Sequence, residues 1–335
     1  MTSLADHTTL RIGGQVDEWI EATTTHQLVD AVLDADANAV PVLVLGGGSN
    51  LVAPDTGFRG RVVHIATSGI ESPEPGVLRI AAGEHWDDVV TDAVAHGWAG
   101  IEALSGIPGR TGATPIQNVG AYGQDVSQVL VSLTALDRHS REVVVLTAEQ
   151  CAFAYRTSAL KAAMPRWVVL DVTLRLRESR SNVVTYPELA RTLQVDVGQS
   201  APITEIREAV IRLRRSKGMV LDASDHDTWS AGSFFTNPIV SADVAEQFPA
   251  ECPRYPATEG VKLSAAWLIE AAGMSRGFRL ARDSRAAISS KHSLALVNLG
   301  DASATDILAL AAEVQRRVRD AHGITLDIEP VVLSD

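Results

Sequence analysis

Hydrophobic and polar positions up to about residue 180 follow two different periods. Apolar residues at helical spacing predict helices over residues 27–35 and 86–96. Apolar runs rich in β-branched residues and bounded by turn residues predict strands over residues 42–45, 61–65, 78–82, 130–137, 143–146 and 168–175. Helices and strands mixed in this way indicate an α+β fold.

The sequence changes character near residue 200, where a predicted helix over residues 203–215 ends in the basic segment RLRRSKG. Helical spacing recurs over residues 263–272 and 305–321. A chain of 335 residues is also too long for one ordinary hydrophobic core. We therefore predict one domain over residues 1–199 and a second over residues 200–335.

A run of three glycines, Gly46 to Gly48, follows the predicted strand over residues 42–45. Glycine allows close approach of the backbone to a ligand, and phosphate is the usual one. Ser49 and Asn50 stand where a P-loop needs its lysine, and Leu51 replaces the third glycine of a dinucleotide-binding fingerprint. A turn and another strand follow, so we predict a phosphate-binding loop without a Rossmann helix.

A second glycine-rich segment extends over residues 100–127 and contains two prolines. It is too long for a passive connection, and long ordered loops of this kind are often binding loops. Two such loops are able to hold the two phosphates of one dinucleotide with their backbone N–H groups. Gln117 and Asn118 offer amides for a polar heterocycle, although either amide is equally consistent with a turn cap.

Composition and charge narrow the function classes. The formal net charge of −12 disfavours nucleic-acid binding and attraction to anionic membranes. The sequence shows neither a membrane-spanning apolar run nor a secretory signal peptide, which predicts a cytoplasmic location. Cys151 and Cys252 are far apart and have no metal-ligand spacing, so neither a disulfide nor a metal site is expected.

Six segments, in order along nearly the whole chain, resemble UDP-N-acetylenolpyruvoylglucosamine reductases, the MurB-type flavoenzymes of peptidoglycan precursor synthesis. They are LGGGSNLV, SGIPGRTGATPIQNVGAYG, AYRTSALK, AGSFFTNP, VKLSAAWLIEAAG and LDIEPVV. The resemblance implies an FAD-binding domain of the PCMH or vanillyl-alcohol-oxidase type over residues 1–199, with α+β subdomains of about 1–65 and 66–199. It also implies an α+β substrate domain over residues 200–335, whose C-terminal end returns to the active site.

The resemblance implies that NADPH reduces a non-covalent FAD, which then reduces the enolpyruvyl ether of the UDP sugar to the lactyl ether of UDP-N-acetylmuramate. It implies a small-molecule substrate and no metal, and we expect a monomer. The residues implied to bind FAD are Gly46, Gly47, Gly48, Ser49, Asn50, Leu51, Ile107, Pro108, Thr111, Gly112, Gln117, Asn118, Gly120, Ala121 and Gly123.

Three residues match the family's catalytic positions. Hydride addition to a double bond conjugated with a carboxylate needs a group that stabilises the developing charge, and a proton donor for the neighbouring carbon. The resemblance assigns charge stabilisation to Arg156, proton donation to Ser233 and orientation of the carboxylate to Glu329. Ser233 does not fit a serine hydrolase, because Phe235 occupies the place of the second glycine in a nucleophile elbow.

The resemblance also implies a set of substrate-binding residues. Lys217 follows three arginines, and this basic cluster is able to meet a diphosphate, although a solvated helix face is about as consistent for the arginines. Tyr186 resembles the tyrosine of a mobile loop that one branch of the family, the loop-bearing type I branch, closes over the substrate. The full set is Tyr122, Tyr186, Lys217, Asn237, Tyr255, Lys262 and His292.

The chain departs from the family pattern at Thr236, where lysine is common, and at Val331, where a second acid is common. Two other functions remain open from the residues. One is a PCMH-type sugar or lactone oxidase with the same FAD domain, and the other is a non-catalytic regulator that binds sugar nucleotides. Segment AGSFFTNP argues against the oxidase, and the presence of all three catalytic residues argues against the regulator.

Overall fold

The computed structural model describes residues 2–333. Its α-helices are α1 (Thr25–Ala37), α2 (Trp86–His96), α3 (Ala159–Ala162), α4 (Pro187–Leu193), α5 (Ile203–Ser216), α6 (Ala242–Glu246), α7 (Ala265–Ala271) and α8 (Ala304–His322). Its strands are β1 (Val16–Ala22), β2 (Val42–Leu45), β3 (Leu51–Val52), β4 (Phe58–Ile65), β5 (Ile70–Glu74), β6 (Val77–Ala81), β7 (Trp98–Ala99), β8 (Gly120–Ala121), β9 (Gln124–Asp125), β10 (Leu130–Asp137), β11 (Glu142–Thr147), β12 (Trp167–Arg175), β13 (Arg177–Glu178), β14 (Ser181–Val183), β15 (Ser200–Pro202), β16 (Ile239–Val240), β17 (Arg254–Pro256), β18 (Val261–Leu263), β19 (Ala286–Ile288), β20 (Leu296–Asn298) and β21 (Val331–Val332).

These residues fold into two compact units. The larger unit comprises Val16–Gly47 and Arg59–Ser216, and the smaller unit comprises residues 2–15, Gly48–Phe58 and 217–333. This division differs from the one predicted near residue 200, because α5 belongs to the larger unit and two N-terminal segments belong to the smaller one. The apolar face of α5 packs with α4 in one buried cluster, which explains why the helix stays with the larger unit.

Besides three two-stranded pairs, β13-β7, β14-β15 and β8-β9, the larger unit contains two larger sheets. One has the strand order β1-β4-β2, with β2 and β4 parallel and Val42 opposite Arg61. The other is antiparallel and has the order β11-β10-β12-β6-β5. Helix α2 buries Trp86, Val89 and Val90 in the same core as the inward residues of this second sheet.

The smaller unit joins distant parts of the chain. Strand β3, directly after the glycine run, pairs in parallel with the C-terminal strand β21, so that Leu51 lies opposite Val331. Helix α8 begins with a capping box formed by Ser303 and Asp306, and Asp55 also accepts a 2.7 Å hydrogen bond from the first N–H of this helix. Val331 and Val332 are thereby held beside Leu51 and Val52.

Most predicted elements are confirmed. Strands β2 and β10 and helix α2 have the predicted bounds. The helix predicted over residues 263–272 is shorter, because Leu263 ends β18 and the Ser264 side chain caps the N-terminus of α7. Short elements such as α3, α4 and α6 were not predicted, since so few residues carry little periodic signal.

Residues 2–333 include no helix that is both long and apolar enough to span a bilayer. The same residues contain no group of three or more His, Cys, Asp or Glu side chains able to hold a metal ion. Cys151 is buried in the larger unit and Cys252 in the smaller one, and both are free thiols.

Candidate active site

The two glycine-rich loops meet within the larger unit. A Cβ atom added to Gly47 would lie 2.7 Å from the Gly109 Cα, which is closer than real Cβ contacts allow. A Cβ atom added to Gly46 would lie 3.4 Å from the Arg110 side chain. Glycine is therefore required at Gly47 because the two backbones touch, and the two predicted phosphate loops share one surface.

The rest of the first glycine loop lies in the smaller unit. Gly48 has a φ of +57°, and an added Cβ would lie 2.0 Å from the His7 carbonyl oxygen. No helix follows, because the chain continues into β3, and this confirms the predicted strand–loop–strand arrangement. The Asn50 carbonyl accepts a 2.9 Å hydrogen bond from the Val331 N–H, and the Asn50 side chain donates to the Glu329 carbonyl at 3.4 Å. Predicted cofactor residue Asn50 and predicted catalytic residue Glu329 are thus neighbours.

The second glycine loop is anchored to the end of β6. The N–H groups of Thr111 and Gly112 donate 2.9 Å hydrogen bonds to the carbonyls of Glu84 and Ala82. An added Cβ on Gly112 would lie 2.6 Å from the Ala82 Cβ. These N–H groups therefore fix the loop itself, while Ile107 and Pro108 lie half-buried just before them.

Arg156 lies against the end of the same loop. Its guanidinium donates to the carbonyl of Gly120 at 2.6 Å and to that of Asn118 at 3.5 Å. Asn118 is held in turn, because its side-chain oxygen accepts a 3.0 Å hydrogen bond from the Ser127 N–H. The structure thus brings a predicted catalytic residue together with Asn118, Gly120 and Ala121, the last two of which form β8. Gln117 directly precedes Asn118.

The two predicted substrate tyrosines of the larger unit are in contact. The rings of Tyr122 and Tyr186 meet edge to face with centroids 5.4 Å apart. Tyr186 directly precedes α4, which starts at Pro187. An added Cβ on Gly123 would lie 2.3 Å from the Thr185 side-chain oxygen, so the two tyrosine segments pack closely. Burial raises the pKa of Tyr122 to about 12, so its hydroxyl stays protonated and able to donate.

Arg214 is a member of this site that the sequence indicated only as part of a basic cluster. Burial lowers the pKa of its guanidinium to about 10, and the positive charge of Arg156 acts in the same direction, while Tyr122 and Asp87 oppose it. Arg207, two helical turns earlier on α5, donates to both oxygens of Asp87 at 2.7 and 2.9 Å and so holds this helix in place. Arg156 and Arg214 thus place two cations within electrostatic reach of each other in an acidic protein.

A polar network lies behind the two tyrosines. Glu102 is fully buried, and its carboxylate accepts hydrogen bonds from the Gly100 N–H at 2.7 Å, from Gln124 at 2.8 Å and from Asn182. These residues line a cavity of about 240 Å³ that Tyr122 also borders. Glu102 was not predicted from the sequence, because a lone glutamate in a loop is normally solvated.

In the smaller unit, Ser233 and Glu329 are brought together by backbone pairing. The Glu329 N–H donates a 3.0 Å hydrogen bond to the carbonyl of Phe234, the residue after Ser233. Phe234 and Phe235 are both fully buried and anchor the segment. Gly232 has a φ of +75° and open space around its Cα, so the turn before Ser233 needs glycine for its conformation.

The other predicted substrate residues of the smaller unit lie at several places. Lys262 lies opposite Tyr255 on neighbouring strands, with its ammonium 5.9 Å from the tyrosine ring. The Asn237 side-chain oxygen accepts a 2.9 Å hydrogen bond from the Ala265 N–H at the start of α7. The His292 N–H donates to the Ser289 hydroxyl at 3.2 Å, before β20. Lys217 is the first residue of the unit after α5.

Comparison with known families gives two matches along the chain. Residues 17–146 match the family model of an FAD binding domain. Residues 224–333 match the family model of the C-terminal domain of UDP-N-acetylenolpyruvoylglucosamine reductase.

Individual relatives extend the similarity to the whole chain. The UDP-N-acetylenolpyruvoylglucosamine reductase of Nocardia farcinica is 51% identical, with 98% of this chain and 88% of the relative covered. That of Thermobifida fusca is 49% identical, with 98% and 96% covered. The crystal structure of the Thermus caldophilus enzyme superimposes with a TM-score of 0.69 at 27% identity, covering 99% of this chain and 98% of that one.

These matches confirm the predicted α+β fold with an FAD-binding domain and the predicted identity as an oxidoreductase. The predictions of a monomer and of a cytoplasmic location stay predictions. Several such enzymes are 49% to 51% identical to this chain over 98% of its length, and the chain therefore belongs to the UDP-N-acetylenolpyruvoylglucosamine reductase family.

Proposed function

We propose that the chain reduces UDP-N-acetylenolpyruvoylglucosamine to UDP-N-acetylmuramate for peptidoglycan precursor synthesis, with NADPH as the reductant and FAD as a non-covalent cofactor. The observation that carries this proposal is the hydrogen bond from the Glu329 N–H to the Phe234 carbonyl, which joins the Ser233 and Glu329 segments in one unit. This reduction requires a proton donor and a group that orients the substrate carboxylate, in addition to a cation.

The glycine loops fit an FAD diphosphate. Gly47 and Gly48 have no room for a side chain, because Gly109 and His7 lie where a Cβ would stand. Glycine there lets the first loop pack against these segments, and backbone N–H groups of loops built in this way are able to bind phosphate. We propose that residues 46–51 and 107–112 hold the diphosphate, and that Gln117, Asn118, Gly120, Ala121 and Gly123 hold the remainder of the cofactor. When bound and reduced by NADPH, FAD would supply the hydride that adds to the enolpyruvyl double bond.

Arg156 is proposed to bind the substrate carboxylate and to stabilise the negative charge that develops during hydride addition. A guanidinium spreads that charge and is able to bind a carboxylate through two hydrogen bonds. The bonds from Arg156 to the carbonyls of Gly120 and Asn118 support this role, because a side chain held before the reaction needs no reorganisation during it.

Ser233 is proposed to give its hydroxyl proton to the carbon next to the one that receives hydride. The left-handed turn at Gly232 and the two buried phenylalanines support this role, since they fix the serine backbone on both sides. Glu329 is proposed to orient the substrate carboxylate or its enol. Substrate binding is proposed for Tyr122, Tyr186, Lys217, Asn237, Tyr255, Lys262 and His292, with Tyr186 closing over the diphosphate.

Isotope tracing tests the proposal. Under single-turnover conditions faster than solvent exchange of the reduced flavin, the purified chain, UDP-N-acetylenolpyruvoylglucosamine and NADPH deuterated at its transferable C4 position should give UDP-N-acetylmuramate with deuterium on one carbon of the former double bond. The same single turnover with unlabelled NADPH in heavy water should label the neighbouring carbon. Replacing NADPH with NADH at equal concentration should slow the reaction. A product with both labels on one carbon, or no reduced product, would contradict the proposal.

A further inference from the structure

Arg110, in the second glycine loop, has no role in the assignments above. We propose that its guanidinium binds the diphosphate of FAD from the side of the glycine loops. This inference rests on the proposed function, because it takes FAD as the cofactor.

The position of Arg110 is the first argument. Arg110 follows Gly109, whose Cα nearly touches Gly47 of the first loop. A Cβ atom added to Gly46 would lie 3.4 Å from both the Cβ and the Cγ of Arg110. The aliphatic part of the arginine side chain therefore covers that glycine. The arginine therefore lies at the junction of the two loops that are proposed to hold the diphosphate.

The hydrogen bonding of the guanidinium is the second argument. One terminal nitrogen donates to the Gly83 carbonyl at 2.8 Å, which fixes the direction of the side chain. The Nε atom is buried and has no hydrogen-bond partner among residues 2–333. A guanidinium has five N–H donors in a planar fork, and a buried donor without an acceptor is unfavourable. A phosphate group would supply the missing acceptors in the geometry that arginine favours.

The electrostatic state of Arg110 is the third argument. Burial lowers the pKa of its guanidinium, and the negative charges of Glu84, Asp88 and Glu21 oppose this effect without cancelling it. The positive charge is therefore partly desolvated, and none of these carboxylates forms an ion pair with it. An anion at the loop junction would compensate for that desolvation, and in a protein of net charge −12 a local cation is needed to attract one.

The test is the affinity of the apoprotein for FAD, measured by the change in flavin fluorescence on binding. Arg110→Met keeps the aliphatic stem and removes the charge, and it should weaken FAD binding about 10- to 100-fold, the range for a lost charge-assisted hydrogen bond. Arg110→Lys should recover much of that loss. Arg79→Leu is the matched control, since Arg79 is an exposed residue of the same unit in an ion pair with Glu71. The FAD affinity of the Arg79→Leu variant should stay within about twofold of wild type.

A salt series separates a charge contact from a packing effect. The affinity gap between wild type and Arg110→Met should narrow as salt is raised, because salt screens the guanidinium and the diphosphate. Equal FAD affinity of wild type and Arg110→Met would overturn the inference. An equal loss of FAD affinity in Arg110→Met and Arg110→Lys would overturn it as well. Failure of the wild-type chain to bind FAD would instead overturn the proposed function, so the two failures are distinguishable. Matching melting temperatures of the apoproteins exclude misfolding as the cause.

Discussion

The two units differ in which residues adopt the left-handed backbone conformation at their candidate site residues. In the larger unit, Arg156, Asn118 and Tyr122 themselves have left-handed backbones, with φ of +55°, +46° and +49°. In the smaller unit, the left-handed residue before Ser233 is Gly232. A left-handed non-glycine residue costs about 1–2 kcal/mol, whereas glycine adopts it freely. The larger unit thus carries strain at the residues proposed to act, and hydrogen bonds such as Arg156 to Gly120 oppose that strain.

The largest expected effect comes from Ser233→Ala in the smaller unit. Loss of a positioned proton donor should lower the rate of substrate reduction by about 10²- to 10⁴-fold. Reduction of the flavin by NADPH should keep its wild-type rate, because that half-reaction needs no proton from Ser233. Stopped-flow absorbance measures both steps, and Ser275→Ala, at an exposed serine of the same unit, is the control. Equal slowing of both half-reactions would show that Ser233 has a structural role instead.

A somewhat smaller effect is expected from Arg156→Ala in the larger unit. Removing a group that stabilises developing charge should lower the rate of substrate reduction about 10²- to 10³-fold. Arg141→Ala is a closely matched control, because Arg141 also has a left-handed backbone, with φ of +62°, but is an exposed residue of the turn between β10 and β11. Both variants keep the same backbone strain, so a similar rate loss in Arg141→Ala would attribute the effect to the backbone and not to the guanidinium.

A pair of substitutions tests whether the smaller unit needs glycine at the left-handed position before Ser233. Gly232 and Gly273 both have left-handed backbones, with φ of +75° and +83°, and open space where a Cβ would stand. Replacing either with alanine should lower the free energy of unfolding by about 1–2 kcal/mol, measured by urea denaturation. Only Gly232→Ala should also slow substrate reduction, because only Gly232 orients Ser233. Identical kinetics for the two variants would remove Gly232 from the account.

The smallest expected effect compares the acid stability of the units. Arg166 holds the pKa of Asp137 well below its usual range in the larger unit, and Arg316 with Arg317 lowers the pKa of Glu313 to about 2 in the smaller one. A depressed folded-state pKa stabilises the protein above the unfolded pKa, and this stabilisation is lost as pH falls. For Glu313 the loss should run from about pH 4.5 to about pH 2.

Urea denaturation at several pH values measures this effect. Glu313→Gln should be less stable than wild type at pH 7, and the difference should shrink as the pH falls through that window. A difference that stays constant with pH would mean that the carboxylate charge is not what stabilises α8.

Sequence reasoning predicted the pieces of the site that leave a linear signature. The glycine loops, the motif around Ser233 and the strand at residues 42–45 belong to this class. Positive φ at Arg156 has no such signature, because arginine rarely adopts it and only tertiary contacts enforce it. The assignment of α5 to the larger unit depends likewise on its packing with α4 and on the long-range pair of Arg207 with Asp87, which no local pattern shows.

The central claim is that this chain passes electrons from NADPH through a bound flavin to an enolpyruvyl sugar nucleotide. The most direct measurement is anaerobic reduction of the purified protein by NADPH, followed by UDP-N-acetylenolpyruvoylglucosamine, while the absorbance of oxidised flavin is recorded. The account predicts that this absorbance vanishes with NADPH and returns on adding the sugar nucleotide without oxygen. A flavin that only oxygen reoxidises, or a purified protein that neither contains nor binds FAD, would contradict it.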